Sequence, residues 1–231
     1  MRRLRPLVLA ALAALGLSAG APRAQTAAPA GQGLSLPVLA AAREIDLDMS
    51  RSEAVEVLRA AGLSIEQEAD LPPDGLTRLI VAVPTDDDCL PRGAPLACAN
   101  IRVHLLNDPQ RGHRVVRIEA FQPLEHRLSV AEVFRQAGAV LGPPLQTTTW
   151  PEQVRGGSVS VWRQRWRDGM SEGPLTEIIA TQPNEDPVTG ATALANPQEP
   201  AAGVGYVRAD LDAESAFASV RRRLMEPRGG R

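Results

Sequence analysis

The chain has 231 residues, 44% of them hydrophobic and 3% aromatic, with a formal net charge of −2 at pH 7. All 25 basic residues are arginine, which excludes a Schiff base or any other lysine nucleophile. One tyrosine, three tryptophans and three phenylalanines are too few for a base-stacking platform, and the acidic balance argues against a nucleic-acid surface.

The opening thirty residues, MRRLRPLVLAALAALGLSAGAPRAQTAAPA, set Arg2, Arg3 and Arg5 ahead of an apolar run from Pro6 to Leu17, followed by small residues. That is the order of a secretory signal peptide, and the run is too short for a permanent membrane-spanning helix. Residues 1–24 are therefore expected to be cleaved off; a cut after Ala24 is preferred to one after Ala21, which Pro22 would follow. No cysteine follows the run to carry a lipid. Losing Arg2, Arg3, Arg5 and Arg23 takes the formal charge from −2 down by four, to −6. The expected product is periplasmic or secreted, has no transmembrane segment, and at roughly 200 residues can bury a sizeable core.

Residues 25–35 read as a flexible leader and residues 36–226 as an α+β domain. In DLDMSRSEAVEVLRAAG, Ser50 and Glu53 form a capping box and Gly62 is the stop, with Ala54, Val57, Leu58 and Ala61 as the apolar stripe. Three strands follow: TRLIVAVP, NIRVHLLN and HRVVRIEAFQP, the last two alternating. SVAEVFRQAGAVLGPP then offers Ser129 and Glu132 as a second capping box, with Val130, Val133, Phe134, Ala137 and Leu141 inward and Gly142 at the end. After it come the strands SVSVWRQRW, LTEIIATQ and GVGYVRADL and a third helix from about Asp212 to Glu226, leaving 227–231 as a disordered tail. The expected fold is thus antiparallel sheet with three main helices. Helix-then-strands occurs twice, over residues 43–127 and 128–226, which reads either as two related halves or as chance likeness, since capping boxes and terminal glycines are common. Residues 182–203, rich in Pro, Asn, Gly and Ala, form a long connection, either a partner-binding loop or a solvated excursion.

The two cysteines, Cys89 and Cys98, fall between the first two strands. In an oxidising compartment such a pair is expected to form a disulfide, stabilising by on the order of 2 to 3 kcal/mol in the chain-entropy model. A metal site has only His104 near by, and a redox centre more usually has Cys-x-x-Cys spacing.

DLDMSRSEAVEVLRAAG and SVAEVFRQAGAVLGPP resemble the Gly-Met-Ser-x-x-Glu-Val…Leu-Gly-x-Pro signature of the SmpA/OmlA-like small envelope domains, which share architecture with the beta-lactamase-inhibitor-protein group. Asp48 stands where that family has glycine, the lipid-bearing cysteine is absent, and strands intervene between the two helices. The resemblance implies a cell-envelope α+β module that binds other proteins and performs no catalysis.

Residue by residue, the candidate chemistry is sparse. Asp86, Asp87 and Asp88 lack the ligand spacing of a calcium loop, and His104, His113 and His126 lack zinc spacing, so no metal and no cofactor is expected. Ser158 has no nucleophile elbow around it, and Glu119 with Glu125 is an acid/base pair only in principle. In VWRQRWRDG the strand period puts Trp162 and Trp166 on one face and Arg163 and Arg165 on the other. Those four form the candidate partner-binding set, weighed against tryptophans packed under a helix and arginines left wet. The leading reading is a non-catalytic binding or envelope-accessory module with a protein partner. The alternative is a small periplasmic hydrolase or other enzyme whose site the sequence does not reveal.

Overall fold

A computed structural model describes residues 36–71, 76–85, 98–108, 110–124, 128–154, 157–167, 173–184 and 195–216. The expected signal peptide and leader, Cys89, the Asp86–Asp88 run, Glu125, His126 and the expected tail 227–231 lie outside them. Within the described residues the order is α1 (Pro37–Arg43), α2 (Arg51–Ala60), β1 (Leu63–Leu71), β2 (Thr77–Pro84), β3 (Asn100–Asp108), β4 (Gly112–Pro123), α3 (Val130–Leu141), β5 (Gln146–Val154), β6 (Gly157–Arg167), β7 (Leu175–Pro183) and β8 (Gly203–Ala209). No helix among them is long and apolar enough to cross a membrane.

The eight strands form one antiparallel sheet in the order β1-β2-β3-β4-β8-β7-β6-β5. α1 and α2 precede one four-stranded meander, β1 to β4, and α3 precedes the other, β5 to β8, and the two meanders meet at β4 and β8, where Ala120 pairs with Tyr206 and Arg117 with Ala209. The halves also share detail at their helix starts. Ser50 bridges to Arg114 and Ser129 to Pro200, and the amides of Val115 and Ala201 donate to the carbonyls of Met49 and Leu128, both at 2.9 Å. Gly62 and Gly142 end α2 and α3 with φ of 75° and 79°, a left-handed turn that glycine makes without a Cβ clash.

The three helices cover one face of the sheet. Leu39, Ile45, Leu58, Val130 and Val133 are fully buried against Ile80, Ile101, Val103, Ile118 and Val204. Each such side chain contributes about 1.5–3 kcal/mol of burial. α1, absent from the sequence expectation, is short and held mainly by this packing: Pro37 presets its first turn, and the Val38 amide donates to Gln122 Oε1 of β4 at 3.1 Å.

Five expectations need correction. The helix count rises through α1, while the C-terminal helix begins at Leu211 and is described as far as Ala216. Eight strands replace six, because β1 and β5 are the polar edges of the sheet and show no apolar alternation. Ala61 is exposed, since α2 has ended before it; Val55 takes the buried place instead. At Ser129 only half of the capping box forms: its hydroxyl accepts from the Glu132 amide at 3.2 Å. The Glu132 carboxylate turns to Arg135 Nε and Nη2 at 2.7 and 2.6 Å, a charge-assisted pair stronger than the reciprocal cap. Finally, the connection is shorter than 182–203, since β7 runs to Pro183 and β8 starts at Gly203, and residues 185–194 of it lie outside the described residues. Gln182 is buried within β7, and the segment before β8 is tied to the start of α3 by Ala131 N to Pro197 O at 2.7 Å.

Candidate functional site

The face of the sheet opposite α1, α2 and α3 carries the candidate site. Strand alternation sends Phe121, Val159, Val161, Ile179 and Val207 to this face, although each is apolar. With Trp150 of β5 they line a trough of about 400 Å³ across β4, β8, β7 and β6. Register brings them together: Phe121 lies opposite Gly205, Gly205 opposite Ile179, and Val161 opposite both Thr181 and Trp150. A Cβ at Gly203 would sit 2.4 Å from the Phe121 ring. Glycine at this position is what lets the ring come this close to the β8 backbone.

Charged side chains border the trough. Next to Phe121 on β4, Glu119 accepts from Arg117 Nε at 2.6 Å, and His104 Nε2 lies 3.8 Å from Glu119 Oε2, beyond hydrogen-bond reach. The neighbouring His104 imidazole and the Arg117 guanidinium hold the Glu119 carboxyl down at about 2, against the burial that pushes it up. At the opposite border Glu177 of β7 is 7% exposed, and its Oε1 accepts from Arg165 Nε and lies 3.7 Å from Arg163 Nη1. Arg163 also stacks 4.8 Å above the Trp150 ring, which fixes the plane of its guanidinium. The helical segment 211–216 reaches this side, with Glu214 Oε1 3.5 Å from Arg117 Nη1.

The four residues of the candidate partner-binding set part company here. Trp166 is 4% exposed within the core, its Nε1 donating to Gly142 O at 2.9 Å, and Trp162 packs against the same core. Arg163 and Arg165 stand on the open face. Cys98 is buried just ahead of β3, Ser158 Oγ accepts from Asn184 Nδ2 at 3.2 Å, and His113 sits at the start of β4 away from the trough. Among the described residues no group of three or more His, Cys, Asp or Glu is placed to hold a metal ion. Sequence reasoning missed Trp150, Glu177 and the apolar lining. The signal was present in SVSVWRQRW, where the same period that pairs Arg163 with Arg165 also puts Val159 and Val161 beside them.

Comparison with known proteins places no family beside this geometry: no family model, no curated protein and no solved structure matches the chain.

Proposed function

We propose that the chain is an exported cell-envelope module that binds another protein through the open face of its sheet and performs no catalysis. The observation that carries this reading is the apolar trough of Phe121, Trp150, Val161 and Ile179 on the sheet face away from α1, α2 and α3, with Val161 buried at its floor and the other three half-buried. A concave, mostly apolar recess bordered by a few polar groups is the usual form of a binding site. The ionisable groups at its border support the same reading, since Glu119 and Glu177 are engaged with arginines, which suits recognition better than proton transfer. Export rests on the arginine-headed, apolar, small-residue order of residues 1–24, and with it goes the pairing of Cys89 with Cys98.

The resemblance to the SmpA/OmlA-like domains belongs to the same proposal. It draws support from Asp48, which stands at the signature's glycine and has a φ of 72°, a conformation natural to glycine. The test is capture from envelope extract with the mature protein as bait, beside Val161→Arg and Ile179→Arg variants checked for folding by circular dichroism. A stoichiometric partner retained by the parent and lost by both variants is the expected result. A partner bound equally by all three, or turnover of a substrate without any partner, would remove the reading.

A further inference from the structure

Directly after β8 the chain returns to the trough side of the sheet. Asp210 caps the helical segment 211–216: its Oδ1 accepts from the amides of Asp212 and Ala213 at 3.1 and 2.9 Å, and its own amide donates to Val116 O of β4 at 2.8 Å. The segment therefore starts from a fixed point on the sheet. Glu214, one turn in, lies 3.5 Å from Arg117 Nη1. Leu211 lines a hollow with Arg117, Leu175 and Glu177, and that hollow shares Arg117 and Glu177 with the trough.

Burial sets the phase of this helix. Leu211, Ala213 and Glu214 are half-buried, whereas Asp212, Ser215 and Ala216 are exposed. Carried on through residues 217–225, FASVRRRLM, at the helical period, that phase puts Phe217, Ala218, Arg221, Leu224 and Met225 on the sheet side and Ser219, Arg222 and Arg223 on the solvent side. The large apolar residues thus fall on the side that already meets the sheet. Length agrees as well: β8 from Gly203 to Ala209 spans about 20 Å, and a helix over 211–225 spans about 21 Å. The floor of the trough, for its part, is as dry as a core. Val161 and Val207 are 5% and 8% exposed, although they lie on the face away from α1, α2 and α3 and outside the core those helices form.

We propose that residues 217–225, which lie outside the described residues, continue the segment 211–216 as one helix whose Phe217, Leu224 and Met225 occupy the trough. Arg221, the one charged residue on that stripe, meets a border that carries Glu119, Glu152 and Glu177. The consequence for regulation rests on the docking-face reading: the chain carries its own occupant for that face, tethered at Asp210, and a partner has to displace it in order to bind.

The test is hydrogen exchange, followed by mass spectrometry, on the full mature chain. The amides of 217–225 are expected to exchange about tenfold more slowly than in a free peptide of the same sequence, because a helix this short is marginal in water without packing. That protection is expected to vanish in Ile179→Arg, and equally in Phe217→Ser combined with Leu224→Ser, while β3 and β4 stay protected. The second variant changes nothing in the sheet, so its result does not depend on the trough tolerating an arginine. In fluorescence anisotropy, a labelled peptide of residues 211–227 should bind the Phe217→Ser, Leu224→Ser chain about tenfold tighter than the parent, and lose that gain when Ile179→Arg is added. Segment amides that exchange freely in the parent, protection indifferent to Ile179→Arg, or equal peptide binding by parent and variant overturns the inference and leaves the docking face standing. Protection that follows both variants, with no envelope partner captured even by the Phe217→Ser, Leu224→Ser chain, upholds the occupant and removes the docking-face reading.

Discussion

Asp48 occupies backbone space that L-residues rarely enter, with a φ of 72°. Three contacts hold it there: its amide donates to Val115 O at 2.8 Å, its carbonyl accepts from Arg114 Nη1 at 3.3 Å, and its carboxylate receives Arg111. The Arg111 pair is half exposed on both sides and so contributes little. Asp48→Gly is therefore expected to leave the urea midpoint equal or higher, whereas Asp48→Ala, which keeps the Cβ clash and loses the local hydrogen-bonding of aspartate, should lower stability by about 1 kcal/mol. Glu119 gives the residue scale its pH dependence. Its carboxyl in the fold titrates at about 2, below its ordinary 4.5, so its charge contacts stabilise the protein at neutral pH and are lost as pH falls through that interval. Unfolding midpoints measured across the acid range should fall less steeply for Glu119→Gln than for the parent. Caps and helix stops at Ser50, Ser129, Gly62 and Gly142 were legible in the sequence because each acts on its own neighbours. The turn of Glu132 toward Arg135 was not, because two short-range partners compete for one carboxylate.

Elements differ in how much of themselves they declare. β2, β3 and β4 are buried by helices on one side, and their alternation or apolar runs predicted them. β1 and β5 are the edges: β1 carries Glu66, Glu68 and Asp70 with a bulge between Ile65 and Gln67, and β5 carries Pro151. Charge, a bulge and proline are means by which an edge avoids pairing with other chains, and each erases the pattern by which a strand is recognised. α1 went unread for another reason: it has seven residues, too few to be stable without the sheet beneath it. At this scale the floor of the trough depends on one close approach, between Phe121 and Gly203. Gly203→Ala should cost about 1–3 kcal/mol by driving the ring out of its place, seen as a lower urea midpoint. Combining it with Phe121→Ala should recover part of the loss, since the smaller side chain removes the clash.

For the whole molecule the decisive feature is the junction of β4 with β8. Hairpins within each meander join neighbours in the chain, whereas this junction joins strands separated by a full helix and three other strands. Local signals predicted helix-then-strands twice, because each capping box, glycine stop and alternating run acts on its own neighbours. That the two sets of strands would fuse into one continuous sheet, with α1, α2 and α3 on one face and the trough on the other, depends on contacts that no window of sequence contains. The trough inherits that limit, because Phe121 and Glu119 come from β4 and Trp150, Val161 and Ile179 from β5, β6 and β7.

The junction runs antiparallel, and this orientation has a corollary. Two strands that meet head to tail can be exchanged by a half-turn about an axis through their midpoint, so a lone half already owns a border to which another copy of itself can dock. Residues 36–127 produced separately are accordingly expected to sediment as a dimer zipped along β4, and a proline at Ile118 should leave only monomer or aggregate. A mixed assembly with residues 128–231 should displace that dimer, because in the intact chain evolution had only to favour the unlike pairing over the like one.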